Sequence, residues 1–333
     1  MSSKRIAVIG CGSWGGTIAQ VLINHDHSVT VWHKFPDELE EMKRTHHHPF
    51  LPDLVFSEKL QFTGSLEEAV FPAEIIVIAV PSHIVRPLLP EIMPYVSDSA
   101  IFVNLAKGIE NNTLMTMSQV IESVGKVPED KIVTLYGPSH AEEVSKQIPT
   151  TLVSASRSLN TARVVQMVFS SPFLRVYTND DILGVELGGS LKNVIAIAAG
   201  ICDGIGYGDN TKAALLTRGI AEMTRLGVAM GARRETFAGL SGIGDLIVTC
   251  LSRHSRNRYV GEAIGRGRKL KDILSQMEMV AEGVKTTKSV KQLSTKYVVD
   301  MPISNAVYEI LFNDKEPHQA VKELMTRDLI HEH

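Results

Sequence analysis

Cysteine is scarce and scattered in this chain. Cys11, Cys202 and Cys250 are the only three in 333 residues, and no two stand in C-x-x-C spacing. That pattern argues against a disulfide framework or a structural zinc site, and it fits a reducing cytoplasm. A one-sided charge is also missing. With 34 basic residues against 37 acidic ones, the net charge of −3 gives no field that would hold nucleic acid or an anionic membrane. No apolar run is expected to approach the roughly 18 residues of a membrane helix. The N-terminal residues lead into a strand without a signal-peptide pattern, and there is no internal repeat or low-complexity tract. What is plentiful is apolar side chain, 44% of the chain. That is enough for a substantial core, and the length suits two domains. The tract His46-His47-His48 precedes Pro49 without an accompanying Cys or carboxylate cluster, so it reads as a solvated loop, and no metal is expected.

The strongest local signal lies at the start. Ile6, Val8 and Ile9 suit a buried strand, and the chain then reads Gly10-Cys11-Gly12-Ser13-Trp14-Gly15. In a G-x-G-x-x-G turn the first glycine permits the bend, the second lets backbone approach a pyrophosphate, and the third lets the next helix pack closely. Alone this motif is weak. A helix over 16–24 and a strand over 29–32 complete a βαβ unit, and with them the motif points to dinucleotide binding, phosphates facing the first helical amides. An NAD-selective unit places an acid at the end of the second strand, about 20 residues past the glycines. Here that position reads Trp32-His33-Lys34, with no acid before Asp37. A cationic His33–Lys34 pair is expected to accept a 2′-phosphate, so NADP(H) should serve at least as well as NAD(H).

Short β-branched runs follow at 75–80, 101–105, 132–135, 151–153 and 174–177, alternating with helical patterns at 84–95, 113–124 and 159–169. This predicts an α/β fold with a Rossmann-like, doubly wound parallel sheet. Its ligand loops, at the carboxyl ends of strands, would be Pro81-Ser82, Lys107-Gly108 and Gly137-Pro138-Ser139. From about Asp181 the pattern becomes helical, at 183–201, 211–230, 283–297, 303–312 and 318–325, with Val298-Val299 as a weak strand signal. The expected domains are residues 1–180, binding NAD(P), and an all-α substrate and catalytic domain, 181–333. The active site is expected in the cleft between them.

The run 187–202 holds one charge, Lys192, among glycine, alanine and aliphatic residues. A helix so apolar is expected to be buried on most sides. Lost hydration disfavours the ammonium and readies its proton for a carbonyl near neutral pH. The alternative is a lysine that snorkels to solvent from the helix end, and charge isolation leaves both readings open. Asn193 can hold the lysine or a substrate hydroxyl. Asp245, the one acid in Gly242-Ile243-Gly244-Asp245-Leu246, is either a helix cap or the partner that orients Lys192. Lys107 alone reads as a surface loop lysine. Arg253, Arg256 and Arg258, interleaved with Ser255 and Asn257, favour a phosphate site over a solvated basic face.

Taken together, the residues resemble a known family. Gly10-x-Gly12-Ser13-Trp14-Gly15, Lys107-Gly108, Gly137-Pro138-Ser139-His140-Ala141-Glu142, Leu191-Lys192-Asn193, Gly242-Ile243-Gly244-Asp245-Leu246, Ser255-Arg256-Asn257 and Glu282-Gly283 occur in this order. The set is similar to NAD(P)-dependent sn-glycerol-3-phosphate dehydrogenase, the bacterial form above all, over nearly the whole chain. The resemblance implies reversible reduction of dihydroxyacetone phosphate to sn-glycerol 3-phosphate, the backbone precursor of glycerophospholipids, by a cytoplasmic homodimer. It implies Lys192 as general acid and base, with Lys107, Asp245 and Asn193 around the carbonyl. Gly137, Ser139, Thr249, Ser255, Arg256 and Asn257 would line the substrate site, with Arg256 and Asn257 on the phosphate. Ser13, Trp14, Lys107, Ala141, Arg256, Val280 and Glu282 would meet the cofactor. Two rivals remain at this stage: a related two-domain dehydrogenase acting on a sugar acid or hydroxyacyl substrate, and a dinucleotide sensor without turnover.

Overall fold

The computed structural model describes residues 3–277, 280–329, 331 and 332. Its strands are β1 (Arg5–Ile9), β2 (Ser28–Trp32), β3 (His47–His48), β4 (Leu51–Val55), β5 (Gln61–Thr63), β6 (Ile75–Ile78), β7 (Ile101–Asn104), β8 (Ile132–Tyr136), β9 (Thr150–Ala155) and β10 (Leu174–Asn179). Eight form one sheet in the order β10-β9-β8-β7-β6-β1-β2-β5, and β3 pairs with β4 separately. Strands β6 and β8 are buried along their whole length, as expected of strands covered on both faces.

The sheet is not wholly parallel. All neighbours from β5 across to β8 run parallel, as do β9 and β10, but β9 runs antiparallel to β8. The cause is the connection. A parallel return usually crosses over the sheet through a full helix. Between β8 and β9 the chain forms only the one-turn helix Ala141–Val144 and comes back alongside. Val298-Val299 is no strand either: Val298 takes a left-handed φ of 54° just past the helix Glu282–Lys296. The helix expected from 113 starts at Met117, where Thr116 and Gln119 form a capping box.

By their contacts the residues group into two compact units. The first comprises Met1–Gly108 and Met115–Glu186, and the second Ile109–Leu114 and Leu187–His333. The division therefore falls inside the helix Ile182–Ile205 rather than at 180/181. Glu186 explains this, because its carboxylate accepts hydrogen bonds from the Ser118 amide at 2.9 Å, Ser118 Oγ at 2.5 Å and Thr134 Oγ1 at 3.0 Å. These hold the first helical turn to the sheet unit. Ser289 Oγ reaches the Ile109 carbonyl at 3.0 Å and Asn111 Oδ1 at 2.6 Å, which ties 109–114 to the helical unit.

The helix Ile182–Ile205 also corrects the expectation about apolar runs. By length and composition it could cross a membrane, with a mean hydropathy of 1.4 over 18 residues, but 94% of that window is buried within the protein. It is an interior helix. A Cβ on Gly200 would stand 2.0 Å from the Arg258 carbonyl oxygen, and one on Gly261 2.0 Å from that of Ile197. The helices Ile182–Ile205 and Arg256–Gly265 thus meet backbone to backbone.

A second buried carboxylate anchors the helix Pro302–Phe312. Glu222 accepts from the Ile303 amide at 2.6 Å, the Ser304 amide at 3.2 Å and Ser304 Oγ at 3.1 Å. Burial raises its pKa from 4.5 to about 7 against these hydrogen bonds. The folded chain thus keeps a proton there that the unfolded chain releases above 4.5. Stability contributed through this group falls as pH rises across that window, because the native state binds more protons than the unfolded state. Urea unfolding of wild type and Glu222→Gln should show a pH slope between about 5 and 7 in the first that is absent from the second.

Candidate active site

In the sheet unit the three loop glycines differ as their expected tasks differ. Gly10 has φ +108° and donates its amide to the Trp32 carbonyl at 3.0 Å. A Cβ there would lie 2.8 Å from the Ala79 carbonyl oxygen. A Cβ on Gly15 would strike the Gly10 carbonyl oxygen at 2.0 Å, so the helix Ser13–Ile23 can sit against the turn only because that atom is missing. At Gly12 a Cβ would meet nothing within 4 Å, and the residue is exposed. This opening at the start of a helix fits a pyrophosphate approaching bare backbone. Ser13 and Trp14 are half-buried beside it, and Ala141 is buried at the start of its one-turn helix.

The expected His33–Lys34 pair is divided. His33 is buried, with Nε2 2.9 Å from Glu38 Oε2, while Lys34 is exposed. Glu38 comes back to His33 because the helix Pro36–Thr45, unforeseen in the sequence, begins just before it.

At the carboxyl ends of β7 and β8 three expected residues come together. Lys107 Nζ donates to the Gly137 carbonyl at 3.1 Å, as does Ser139 Oγ at 3.1 Å, and the ammonium lies 5.4 Å from the Tyr136 ring centroid. Lys107 is therefore no loose surface lysine but a half-buried cation fixed over an aromatic face. Gly137 has φ +147°, and a Cβ would lie 2.8 Å from the Thr151 carbonyl oxygen. Behind the loop lies a residue the sequence did not single out. Fully buried Glu186 accepts from Asn104 Nδ2 at 3.3 Å, and Asn104 Oδ1 accepts from the Ala106 amide at 3.0 Å. Burial pushes the Glu186 carboxyl above the usual carboxylate range, while hydrogen bonds from Ser118 oppose this.

In the helical unit Lys192 is buried, so it does not snorkel, and it is not alone. Its Nζ donates to Asp245 Oδ1 at 2.5 Å and to Thr249 Oγ1 at 2.6 Å. Lys192, Asp245 and Thr249 are 6%, 1% and 4% exposed. Asp245 opens the helix Asp245–Leu251, with Thr249 one turn later on the same face. The acid is thus the partner that orients the lysine. Its negative charge favours the ammonium and so opposes the desolvation expected from sequence.

Asn193 Oδ1 accepts from Asn257 Nδ2 at 2.9 Å, and Asn257 Oδ1 accepts from the Gly283 amide at 2.9 Å. These bonds join three helices, and a phosphate contact would use the second Nδ2 proton of Asn257. Ser255 caps the helix Arg256–Gly265 by accepting from the Arg258 amide at 3.2 Å. The three arginines separate. Arg258 is turned inward onto Asp203, Nε to Oδ2 at 2.7 Å, whereas Arg253 and Arg256 are exposed. Arg256 Nη1 donates to the Val280 carbonyl at 3.0 Å. Glu282 is half-buried as the first residue of its helix. The three cysteines are buried, and burial pushes Cys11, Cys202 and Cys250 up to about 12, about 11 and about 12, so the thiols stay protonated.

Known proteins match this chain over nearly its whole length. Residues 5–162 match the family described as NAD-dependent glycerol-3-phosphate dehydrogenase N-terminus, and residues 181–322 its C-terminus. The chain is 51% identical over 331 residues to glycerol-3-phosphate dehydrogenase (NAD(P)+) 1 of Salinibacter ruber, covering 99% of this chain and 97% of that protein. It is 52% identical over 326 residues to the enzyme of that name from Chlorobium limicola, covering 97% and 98%. The crystal structure of glycerol-3-phosphate dehydrogenase from Coxiella burnetii superposes with a TM-score of 0.93 at 35% identity, covering 98% of this chain and 99% of that one. A dinucleotide turn on a Rossmann-like sheet, a helical unit with a buried lysine, and these relatives lead to one conclusion: the chain belongs to the NAD-dependent glycerol-3-phosphate dehydrogenase family.

Proposed function

We propose that this protein is an NAD(P)H-dependent dehydrogenase that reversibly reduces dihydroxyacetone phosphate to sn-glycerol 3-phosphate. The observation that carries the reading is the buried Lys192–Asp245–Thr249 cluster in a chain that also holds an open dinucleotide turn. When bound, the nicotinamide supplies the hydride. The chain must then meet the charge that develops on the carbonyl oxygen and protonate it. Lys192 does both, because its ammonium is a preorganised cation and a proton source. Asp245 and Thr249 fix its direction, and in the reverse reaction the neutral amine takes the proton back. Lys107, held by the Gly137 carbonyl, adds positive charge near the carbonyl, while Gly137 and Ser139 shape the loop. Arg256 grips the phosphate with Ser255 and Asn257, and it aligns the ketone by spending binding energy on orientation. Asn193 acts through Asn257. Gly10, Gly12, Ser13, Trp14, Gly15, Ala141, Val280 and Glu282 hold the dinucleotide.

A pure sensor has no need of a buried ammonium aimed by a carboxylate and a hydroxyl. By family resemblance we further propose that it supplies the glycerophospholipid precursor and works as a homodimer, and the few scattered cysteines favour the reducing cytoplasm. The test is NADPH oxidation with dihydroxyacetone phosphate beside unphosphorylated dihydroxyacetone, a sugar acid and a 3-ketoacyl substrate. The phosphorylated ketone should be turned over with by far the highest kcat/KM, and preference for another substrate would overturn the assignment.

Since His33 is bonded to Glu38, any NADPH selectivity rests on exposed Lys34. Lys34→Ala should raise the KM for NADPH by about fivefold to tenfold, the worth of one exposed charge-assisted contact, and leave that for NADH within about twofold. Equal changes for both cofactors would remove Lys34 from the 2′-phosphate.

A further inference from the structure

The His46–His48 tract remains unused by this chemistry, yet His48 is not a solvated loop residue. It is 1% exposed. Its Nε2 lies 3.1 Å from the Cys11 carbonyl oxygen, inside the Gly10–Gly15 turn, and its Nδ1 lies 3.1 Å from the Phe50 amide. The ring also fills the space beside Gly16, whose Cβ would stand 3.0 Å from His48 Cδ2. These partners fix the tautomer. A carbonyl only accepts, so Nε2 carries the proton, and an amide N–H only donates, so Nδ1 must be bare. A second proton would set an N–H of the ring against the N–H of Phe50.

We propose that neutral His48 is a positioning residue for the dinucleotide turn, holding the Cys11 carbonyl and the first turn of the helix Ser13–Ile23 in their cofactor-binding geometry, and that protonation of its ring releases the turn. This rests on the reading that the turn binds NAD(P). Burial lowers the pKa of His48 from its ordinary value, so the neutral ring persists at physiological pH. The surrounding charges do not reverse this. His33 and Glu38 act on it from one side and bond each other at 2.9 Å. The helix Ser13–Ile23 carries no charged side chain. On β4, Asp53 is paired with Lys146 at 2.8 Å. Adjacent His47 is exposed and bonded to the Thr45 carbonyl at 2.7 Å, and the Cys11 thiol stays protonated up to about 12.

The test is NADPH affinity by fluorescence titration, with steady-state KM values for both substrates. His48→Phe keeps a ring and loses both hydrogen bonds. It should raise the NADPH Kd and KM by about tenfold, the worth of one buried hydrogen bond, and leave the KM for dihydroxyacetone phosphate within about twofold. His48→Gln, whose amide can still donate to the Cys11 carbonyl, should recover most of the affinity, whereas His48→Asn, too short to reach it, should not. Wild-type affinity should weaken in acid, and that of His48→Phe should lack this component. Unchanged Kd in His48→Phe, or equal behaviour of Gln and Asn, overturns the inference while leaving the activity standing. If His48→Phe fails to fold, the Gln and Asn comparison decides. Wild-type protein that binds no NADPH at all would instead overturn the function on which the inference rests.

Discussion

Lys192→Met should lower kcat by about two to four orders of magnitude, the span of general acid–base catalysis, with NADPH affinity measured by fluorescence nearly unchanged. Methionine keeps the apolar stem that the buried helix position accommodates. What it removes is the ammonium that Asp245 and Thr249 hold at 2.5 and 2.6 Å. The geometry adds a consequence that charge isolation does not suggest. With the cation gone, buried Asp245 loses the opposite charge of Lys192, and breaking such a buried pair costs about 3–5 kcal/mol of stability. The double variant Lys192→Met with Asp245→Asn removes that charge and should regain most of the stability but none of the activity. Retention of more than about a tenth of wild-type kcat in folded Lys192→Met would take the proton from Lys192 and pass it to Lys107.

Arg256→Ala should raise the KM for dihydroxyacetone phosphate strongly, by a factor corresponding to roughly 2 kcal/mol or more for a charge-assisted phosphate contact. If the grip also aligns the ketone, kcat falls with it. Unphosphorylated dihydroxyacetone, which has nothing for the guanidinium to hold, should react almost as before. Arg258→Ala is the internal comparison. Its side chain is spent on Asp203 at 2.7 Å, so its loss should lower stability without separating the two substrates. Equal losses on both substrates in Arg256→Ala would place that residue in folding or cofactor binding instead.

Much of this was legible from residue order because local rules carry it. The spacing of Gly10, Gly12 and Gly15 dictates three different backbone demands: the bend at Gly10 and the close helix at Gly15 are as expected, and the backbone at Gly12 is open. Lys192 stood out as the single charge of an apolar run, and Asp245 as the single acid of another. The helices beginning at Pro302 and Pro317 are set by a residue pre-shaped for a first turn. Strand direction was not legible: β9 has the same β-branched pattern whichever way it runs, and it returns antiparallel to β8 through a connection that lacks a full crossover helix. The helix Pro36–Thr45 was hidden because only Leu39 and Met42 are buried in a charged stretch, which left Glu38 and its hold on His33 out of view. Glu186 and His48 share one difficulty. Their partners are supplied by segments far apart in sequence, and neither residue type announces burial. Strand order marked 137–139 as a ligand loop, but the substrate roles of Gly137 and Ser139, and Glu282 altogether, became visible only through family resemblance, since a loop glycine, a loop serine and a helix-first glutamate are unremarkable on their own.

NADPH consumption and product formation are to be followed together when the purified protein is given dihydroxyacetone phosphate. One sn-glycerol 3-phosphate should form for each NADPH consumed, and NADPH should be regenerated when sn-glycerol 3-phosphate and NADP+ are supplied instead. NADPH binding without turnover, or a product other than sn-glycerol 3-phosphate, would contradict it.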